Sequence, residues 1–254
     1  MTLTKKLKKS IAVGALALAA LFPDIASAGD IFFGVRGPTD YQADARVVYS
    51  NKEDEKNKEK RVDAITNQFL FKYWDGDDLG KFMFVDIPYK LTYSSGELSH
   101  GLGNISAGIG PRGRAGSFNF ISYLALEFPT DESKSSGLNA RMGAFATYFM
   151  LDRKMEIDGS LECKITGQSN GKNPPNEIPA GLVVGGRIFI DEIRAAAGIT
   201  ALLKDNSDYL INSRAVIRYM PSQAFHFELI GDAGIKNKNI PQNFSATLLM
   251  RYNL

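Results

Sequence analysis

Apolar and polar positions alternate one by one along much of the chain. Between residues 155 and 166, Met155, Ile157, Gly159, Leu161, Cys163 and Ile165 alternate with Glu156, Asp158, Ser160, Glu162, Lys164 and Thr166. A period of two puts one set on each face of a strand, so this strand has an apolar face and a polar or charged one. That is the pattern of a strand between lipid and a wet lumen. Residues 209–220 repeat it, with Tyr209, Ile211, Ala215, Ile217 and Tyr219 against Asn212, Arg214 and Arg218. So do residues 225–236, with Phe225, Phe227, Leu229, Ala233 and Ile235 against His226, Glu228, Asp232 and Lys236. Further strands are predicted at 40–50, 64–74, 81–94, 104–114, 118–128, 140–151, 180–191, 193–204 and 244–254. Each of the twelve has about ten residues or slightly more, the length a tilted strand needs to cross a bilayer. Pro88 and Pro111 fall inside two of them and remove ladder donors, so bulges are expected there. Residues 193–203, with the run Ala195-Ala196-Ala197, fit a helix equally well.

The connections alternate in length. With the N-terminal end on the periplasmic side, the long connections are 51–61, 95–103, 129–139, 167–179, 205–208 and 236–243. The short ones are 75–80, 115–117, 152–154, a reversal near Asp191-Glu192, and 221–223. Only 75–80 and 205–208 blur the contrast. Bacterial outer-membrane barrels sort their loops this way, with short periplasmic turns and longer outer loops. The predicted fold is therefore all-β: a transmembrane, antiparallel, up-and-down β-barrel of about 12 strands. At the C-terminus Ala246, Leu248, Met250, Tyr252 and Leu254 are apolar at every second position. This resembles the terminal-strand signal read by the outer-membrane assembly machinery, with Leu254 where an aromatic residue is usual. An ordinary terminal strand of a soluble β protein has the same pattern.

The N-terminal residues change the reading of charge. Lys5, Lys6, Lys8 and Lys9 precede an apolar stretch at 11–21, and Ala26-Ser27-Ala28 offers small residues for cleavage. Residues 1–28 are predicted to be a cleaved signal peptide, and 29–254 the barrel. Removing the leader takes away four lysines and Asp24, so the formal charge falls from +2 to −1. No basic excess remains to point to nucleic acid. Cys163 is the single cysteine, which excludes an intramolecular disulfide. The expected partners are outer-membrane lipid and lipopolysaccharide, the assembly machinery and a small-molecule solute.

One region carries a family resemblance. It comprises Leu98-Ser99-His100-Gly101-Leu102-Gly103-Asn104, then Gly110-Pro111-Arg112, then Leu124-Ala125-Leu126-Glu127-Phe128-Pro129-Thr130. It resembles the outer-membrane transporter family of the meta-cleavage pathway of phenol degradation. In that family a glycine-rich turn opens a strand, a Gly-Pro segment follows, and the next strand closes on Pro-Thr-Gly. Asn104 stands where an acidic residue is common, and Asp131 where glycine is. The resemblance implies a barrel and uptake of small aromatic or otherwise apolar solutes.

No constellation in the sequence carries catalysis. His100 is placed in an outer loop and His226 in the lumen, and no motif joins either to a serine at a spacing a Ser-His-acid site would use. The acidic run after Trp74 (Asp75, Asp77, Asp78) breaks the calcium-loop pattern at Leu79. Cysteine–histidine metal spacing and phosphate-binding glycine loops are absent from the sequence, so no cofactor is expected. The alternating-sign run at 52–60 reads as a hydrated outer loop.

The polar faces supply the candidate site instead. Alternation places Glu156, Asp158, Glu162, Arg187, Arg194, Arg214, Arg218, His226, Glu228, Asp232 and Arg251 inside. Opposite charges fall on neighbouring strands, so cross-strand ion pairs are expected. The earlier strands place Phe82, Phe84, Tyr123, Phe145 and Phe149 inside, with Asp86, Arg112 and Glu127 among them. Such a lining suits a narrow channel or porter for passive uptake of small aromatic or apolar solutes. Two other readings stay open: an outer-membrane lipid hydrolase, and a closed structural or surface-interaction barrel.

Overall fold

The computed structural model describes residues 41–53, 61–74, 79–94, 97–130, 137–168, 174–188, 190–222, 224–240 and 243–253. The expected signal peptide lies outside them, as do residues 75–78 of the acidic run and most of the run at 52–60.

The described chain is a single antiparallel sheet closed on itself. Its strands are β1 (Tyr41–Glu53), β2 (Arg61–Trp74), β3 (Leu79–Ser94), β4 (Glu97–Leu102), β5 (Ile105–Ala115), β6 (Phe118–Phe128), β7 (Asn139–Met150), β8 (Met155–Ile165), β9 (Glu177–Ile188), β10 (Ile190–Lys204), β11 (Tyr209–Tyr219), β12 (Phe225–Lys238) and β13 (Asn243–Asn253). Each pairs with its chain neighbours, except that β4 and β5 both pair with β3 and not with each other, and β1 pairs with β13 to close the barrel. Because β4 and β5 both pair with β3, they form one interrupted stave, and the barrel has twelve. Pairing of the first strand with the last removes the open sheet edges that lipid does not tolerate, and among the described strands β4 alone has a single strand partner.

Burial is inverted relative to a soluble domain. Phe69, Phe71, Ile109, Leu124, Met142, Leu161, Leu182, Ile199 and Ile217 are exposed on the outer wall. Asp44, Lys72, Glu156, Arg214, Arg218, Glu228, Asp232 and Arg251 are buried on the inner one. Water would not favour this arrangement; a bilayer does, since the apolar side chains meet acyl tails. Around the end that carries the short turns, aromatic rings form a partial girdle. Tyr41 lies 5.0 Å from Tyr73, and Phe225 lies 4.9 Å from Phe227 and 5.9 Å from Tyr252 between ring centres. Rings of this kind sit at the boundary between acyl chains and headgroups.

Several expectations are corrected. The strand expected at 193–204 is present as β10, so the helix left open for 193–203 does not form; Ala197 and Ile199 are exposed on the outer face while Thr200 is buried on the inner one. The expected outer loop at 95–103 contains β4, which extends the wall against the upper part of β3. Strand β9 begins at Glu177 rather than 180, and β12 runs to Lys238, so both neighbouring loops are shorter than expected. The reversal expected near Asp191-Glu192 lies earlier, since Ile188 already faces Ile190.

The two prolines behave differently from each other. Opposite Pro88 the register changes by one residue between β4 and β5, so the bulge sits on the partner strand. There the amide of Gly103 donates to the Pro88 carbonyl at 2.8 Å. Pro111 interrupts the β5–β6 ladder between Ile109 and Arg112 without any register change, so no bulge forms there.

Candidate functional site

The site begins with the register of the inner face. In β1 the inward residues are Gln42, Asp44 and Arg46, and Asp44 stands opposite Arg251 of β13. Arg218 of β11 stands opposite Glu228 of β12. These pairings put carboxylates and guanidiniums side by side near the short-turn end, where each needs a partner once removed from water.

The partners form a continuous chain. Lys72 Nζ donates to Asp44 Oδ2 at 2.8 Å, and Arg251 Nε donates to Asp44 Oδ1 at 3.0 Å. Arg251 Nη1 reaches Glu228 Oε1 at 3.4 Å, and Arg218 Nε donates to the same oxygen at 2.7 Å. Arg218 Nη1 then donates to Glu156 Oε1 at 3.2 Å, and Arg194 Nη1 to Glu156 Oε2 at 2.7 Å. The chain therefore runs from β2 through β1, β13, β12 and β11 to β8, and its last link passes over β9 and β10. Gly185, the register partner of Glu156 on β9, has no side chain to stand in the way. Further from the turns, Arg214 holds Asp232 through two bonds of 2.7 Å, and Ser245 adds a third at 2.9 Å.

The other side of the interior is aromatic. Leu70, Phe82, Phe84, Ile121, Tyr123, Ala125 and Phe145 form one buried cluster on β2, β3, β6 and β7. Phe82 stacks on Phe84 at 5.8 Å, Phe84 meets Tyr123 edge-on at 5.3 Å, and Tyr123 stacks on Phe145 at 5.9 Å. Two glycines set these rings against the wall. A Cβ at Gly108 would lie 2.3 Å from Cε1 of Phe84, and one at Gly143 would lie 2.5 Å from Cε1 of Tyr123. Glycine inside a strand often marks such a close approach. The hydroxyl of Tyr123 donates to Glu162.

Toward the long-loop end a second polar group lies above the rings. Glu127 accepts from Asn139 (2.7 Å), Asn104 (2.9 Å) and Lys164 (3.0 Å), and Arg141 pairs with it at 3.6 Å. Arg141 also donates to Ser106 Oγ at 2.7 Å. Asp86 accepts from Gln68 at 2.6 Å through Oδ2. On the opposite side, nearer the short turn between β7 and β8, Thr147 donates to Asp158 at 2.5 Å.

Of the residues singled out from the sequence, Phe82, Phe84 and Tyr123 meet in the aromatic cluster. Asp86 and Glu127 lie in the loop-side polar group. Glu156, Arg194, Arg218 and Glu228 join the ion-pair chain, and Arg214 and Asp232 pair beside it. Arg112, Asp158, Glu162 and His226 are buried. Arg187 lies near the short-turn end of β9 in register with Arg194, on the same face of the sheet, and is exposed there. His100 is exposed and lies 3.0 Å from the hydroxyl of Tyr89.

Residues 41–72 supply members that the sequence reading did not single out: Asp44, Arg46 and Lys72. Gln42, Asp44 and Arg46 alternate with Ala43, Ala45 and Val47, so their face was legible. Lys72 follows the run Phe69-Leu70-Phe71, where no alternation marks a face.

No protein-family model and no curated protein matches the chain. Solved structures share its fold. An outer-membrane channel from Pseudomonas putida F1 is 12% identical over 85% of this chain and 96% of its own, with a TM-score of 0.67. The translocator domain of the autotransporter NalP from Neisseria meningitidis is 11% identical over 97% of this chain and 98% of its own, with a TM-score of 0.59. CymD, a monoaromatic hydrocarbon channel, is 8% identical over 91% of this chain and 93% of its own, with a TM-score of 0.55. The fold is thus that of the closed outer-membrane barrels, an architecture that serves channels and translocators alike.

Proposed function

We propose that the chain is a passive channel of the bacterial outer membrane for small solutes with aromatic or apolar bodies. The observation that carries this reading is the segregated interior. Contiguous rings of Phe82, Phe84, Tyr123 and Phe145 line one side, and paired charges line the other. A solute with a flat apolar body gains contact with the rings, while a hydrated ion or sugar gains nothing from them. Two of the structures of similar fold are channels by their own description, one of them for monoaromatic hydrocarbons. The family resemblance over residues 98–130 points the same way. In this reading the short turns face the periplasm, the outer wall contacts lipid and lipopolysaccharide, and β13 is the segment the assembly machinery recognises.

The test is solute entry into liposomes that carry the refolded chain, comparing phenylalanine with glucose and subtracting entry into empty vesicles. Phenylalanine entering faster than glucose supports the reading, and Phe84→Ser then lowers the phenylalanine rate more than the glucose rate. If protein shown to be folded admits neither solute, the channel reading is overturned.

A further inference from the structure

The alternation of β12 breaks at its long-loop end. His226, Glu228, Ile230 and Asp232 are buried on the inner face, and the same period would place Lys236 there too. The ladder slips before it does. Asn212 of β11 stands opposite Gly234 and Ile211 opposite Lys236, so Ile235 is an extra residue in β12. Beyond this bulge the faces are exchanged: Asn237 stands opposite the buried Leu210, and Lys236 opposite the outward-facing Ile211. Ile235, Lys236 and Lys238 are all exposed. Bulges re-aim side chains, and this one sends two lysines to the outer wall.

Their height on the barrel decides what they meet. Lys236 follows Phe225 by eleven residues, and Phe225 belongs to the aromatic girdle at the short-turn end. That length of strand spans about 35 Å, or about 27 Å along the axis at a tilt of about 40°, against an apolar band about 25 Å tall. Lys236 therefore stands at the opposite headgroup level. Tyr209 of β11 marks the same level, with Lys236 Nζ 5.9 Å from the centre of its ring. Below them the outer wall presents Phe244, Leu229 and Ile217 to acyl chains. The adjoining turn carries Asp205, which is exposed, and Asp208, whose carboxylate accepts from Asn206 at 2.6 Å and Asn239 at 2.8 Å. Among the described residues no carboxylate pairs with Lys236 or Lys238.

We propose that Lys236 and Lys238, with the Tyr209 ring, form a site on the outer wall for the phosphate monoester of an outer-leaflet lipid, the lipid A part of lipopolysaccharide. The inference goes beyond the channel reading and shares with it only the orientation of the barrel. Two ammonium groups on one face, from residues about 7 Å apart along the strand, match a phosphate monoester, which carries a charge of about −1.5 to −2. A phosphodiester headgroup carries a single charge and answers only one of them. The Tyr209 ring steadies the Lys236 ammonium, and the apolar wall below receives the acyl chains of the same molecule.

The full chain, refolded in a zwitterionic detergent, is titrated with bisphosphoryl lipid A, with lipid A stripped of its phosphates, and with phosphatidylglycerol, a phosphodiester. Bound lipid is counted by native mass spectrometry. The wild-type protein should hold bisphosphoryl lipid A about tenfold more tightly than either other lipid, the ratio that one charge-assisted hydrogen bond supports. Lys236→Gln combined with Lys238→Gln should lower that affinity about tenfold. Lys154→Gln, exposed at the short-turn end, should leave it unchanged. Equal wild-type affinity for the three lipids overturns the site without any variant, so the result does not depend on a substituted protein folding. Full affinity in the folded double variant also overturns it. So does release of bound lipid A by excess inorganic phosphate, which would make this a site for free anions. Solute entry is not read in these titrations: their failure leaves the channel reading standing, and a chain that binds lipid A but admits no solute sinks the channel reading alone.

Discussion

Gly143 and Gly159 show how much one methyl group decides on the inner face and how little on the outer. Gly143 stands between Tyr123 and Glu162 in register, and an added Cβ would lie 2.5 Å from Cε1 of the tyrosine and 2.7 Å from Cγ of the glutamate. Both side chains belong to one hydrogen bond, so neither moves without disturbing the other. Gly143→Ala is expected to cost about 1–3 kcal/mol through overpacking. Gly159, where nothing lies within 4 Å of the added atom, should accept alanine almost without loss. Urea unfolding of both variants in lipid vesicles measures the difference, and equal stabilities would show that the Tyr123 ring relaxes freely. At this scale the sequence was legible wherever polar residues mark the inner face, as for Arg214 and Glu228. It was not legible at Leu70, Val183 and Leu249, which are buried but whose neighbours are also apolar or small. Alternation carries no information where both faces favour the same kind of side chain.

Each strand is a two-sided element, and the two sides obey different solvents. Leu182 of β9 is half exposed on the outer wall, while Val183 beside it is fully buried. Leu182→Arg is expected to destabilise the barrel by about 2–4 kcal/mol if the residue sits at the bilayer midplane, since a charge there must leave water for hydrocarbon. The same unfolding measurement checks it, and a loss near zero would place Leu182 at the headgroup level. The bounds of β6 were readable to the residue because Gly116 and Ser117 form a turn after β5, with Gly116 at φ +58°. The break between β4 and β5 was not, although Pro88 signalled an irregularity. The missing donor belongs to β3, yet the chain absorbs the mismatch on the partner strand, where Gly103 imposes no side chain. A local signal told that the ladder is disturbed, and pairing decided on which strand.

Across the whole barrel, the ion-pair chain ties together residues that the sequence separates widely. Asp44 and Arg251 are 207 positions apart and meet only because β1 closes on β13. Glu228 is the central link, holding both Arg218 and Arg251. Glu228→Leu leaves two buried guanidiniums short of a counter-charge and is expected to cost about 3–5 kcal/mol. Equilibrium unfolding checks this, and a loss below about 1 kcal/mol would mean that Glu156 and Asp44 satisfy both arginines between them.

The alternation of residues by itself determined that this chain forms antiparallel strands with an apolar and a polar face, because a strand exposes successive side chains to opposite sides whatever it later packs against. The number of staves followed from the same local chemistry, but the lengths of several loops did not, since β4 fills most of the expected 95–103 loop and β9 and β12 run further than expected. The tertiary structure alone decided which charges meet, which ring rests on which glycine, and that Lys236 turns to the outer face. Those outcomes depend on stagger between strands and on closure of the first strand against the last, and neither is encoded within a single strand.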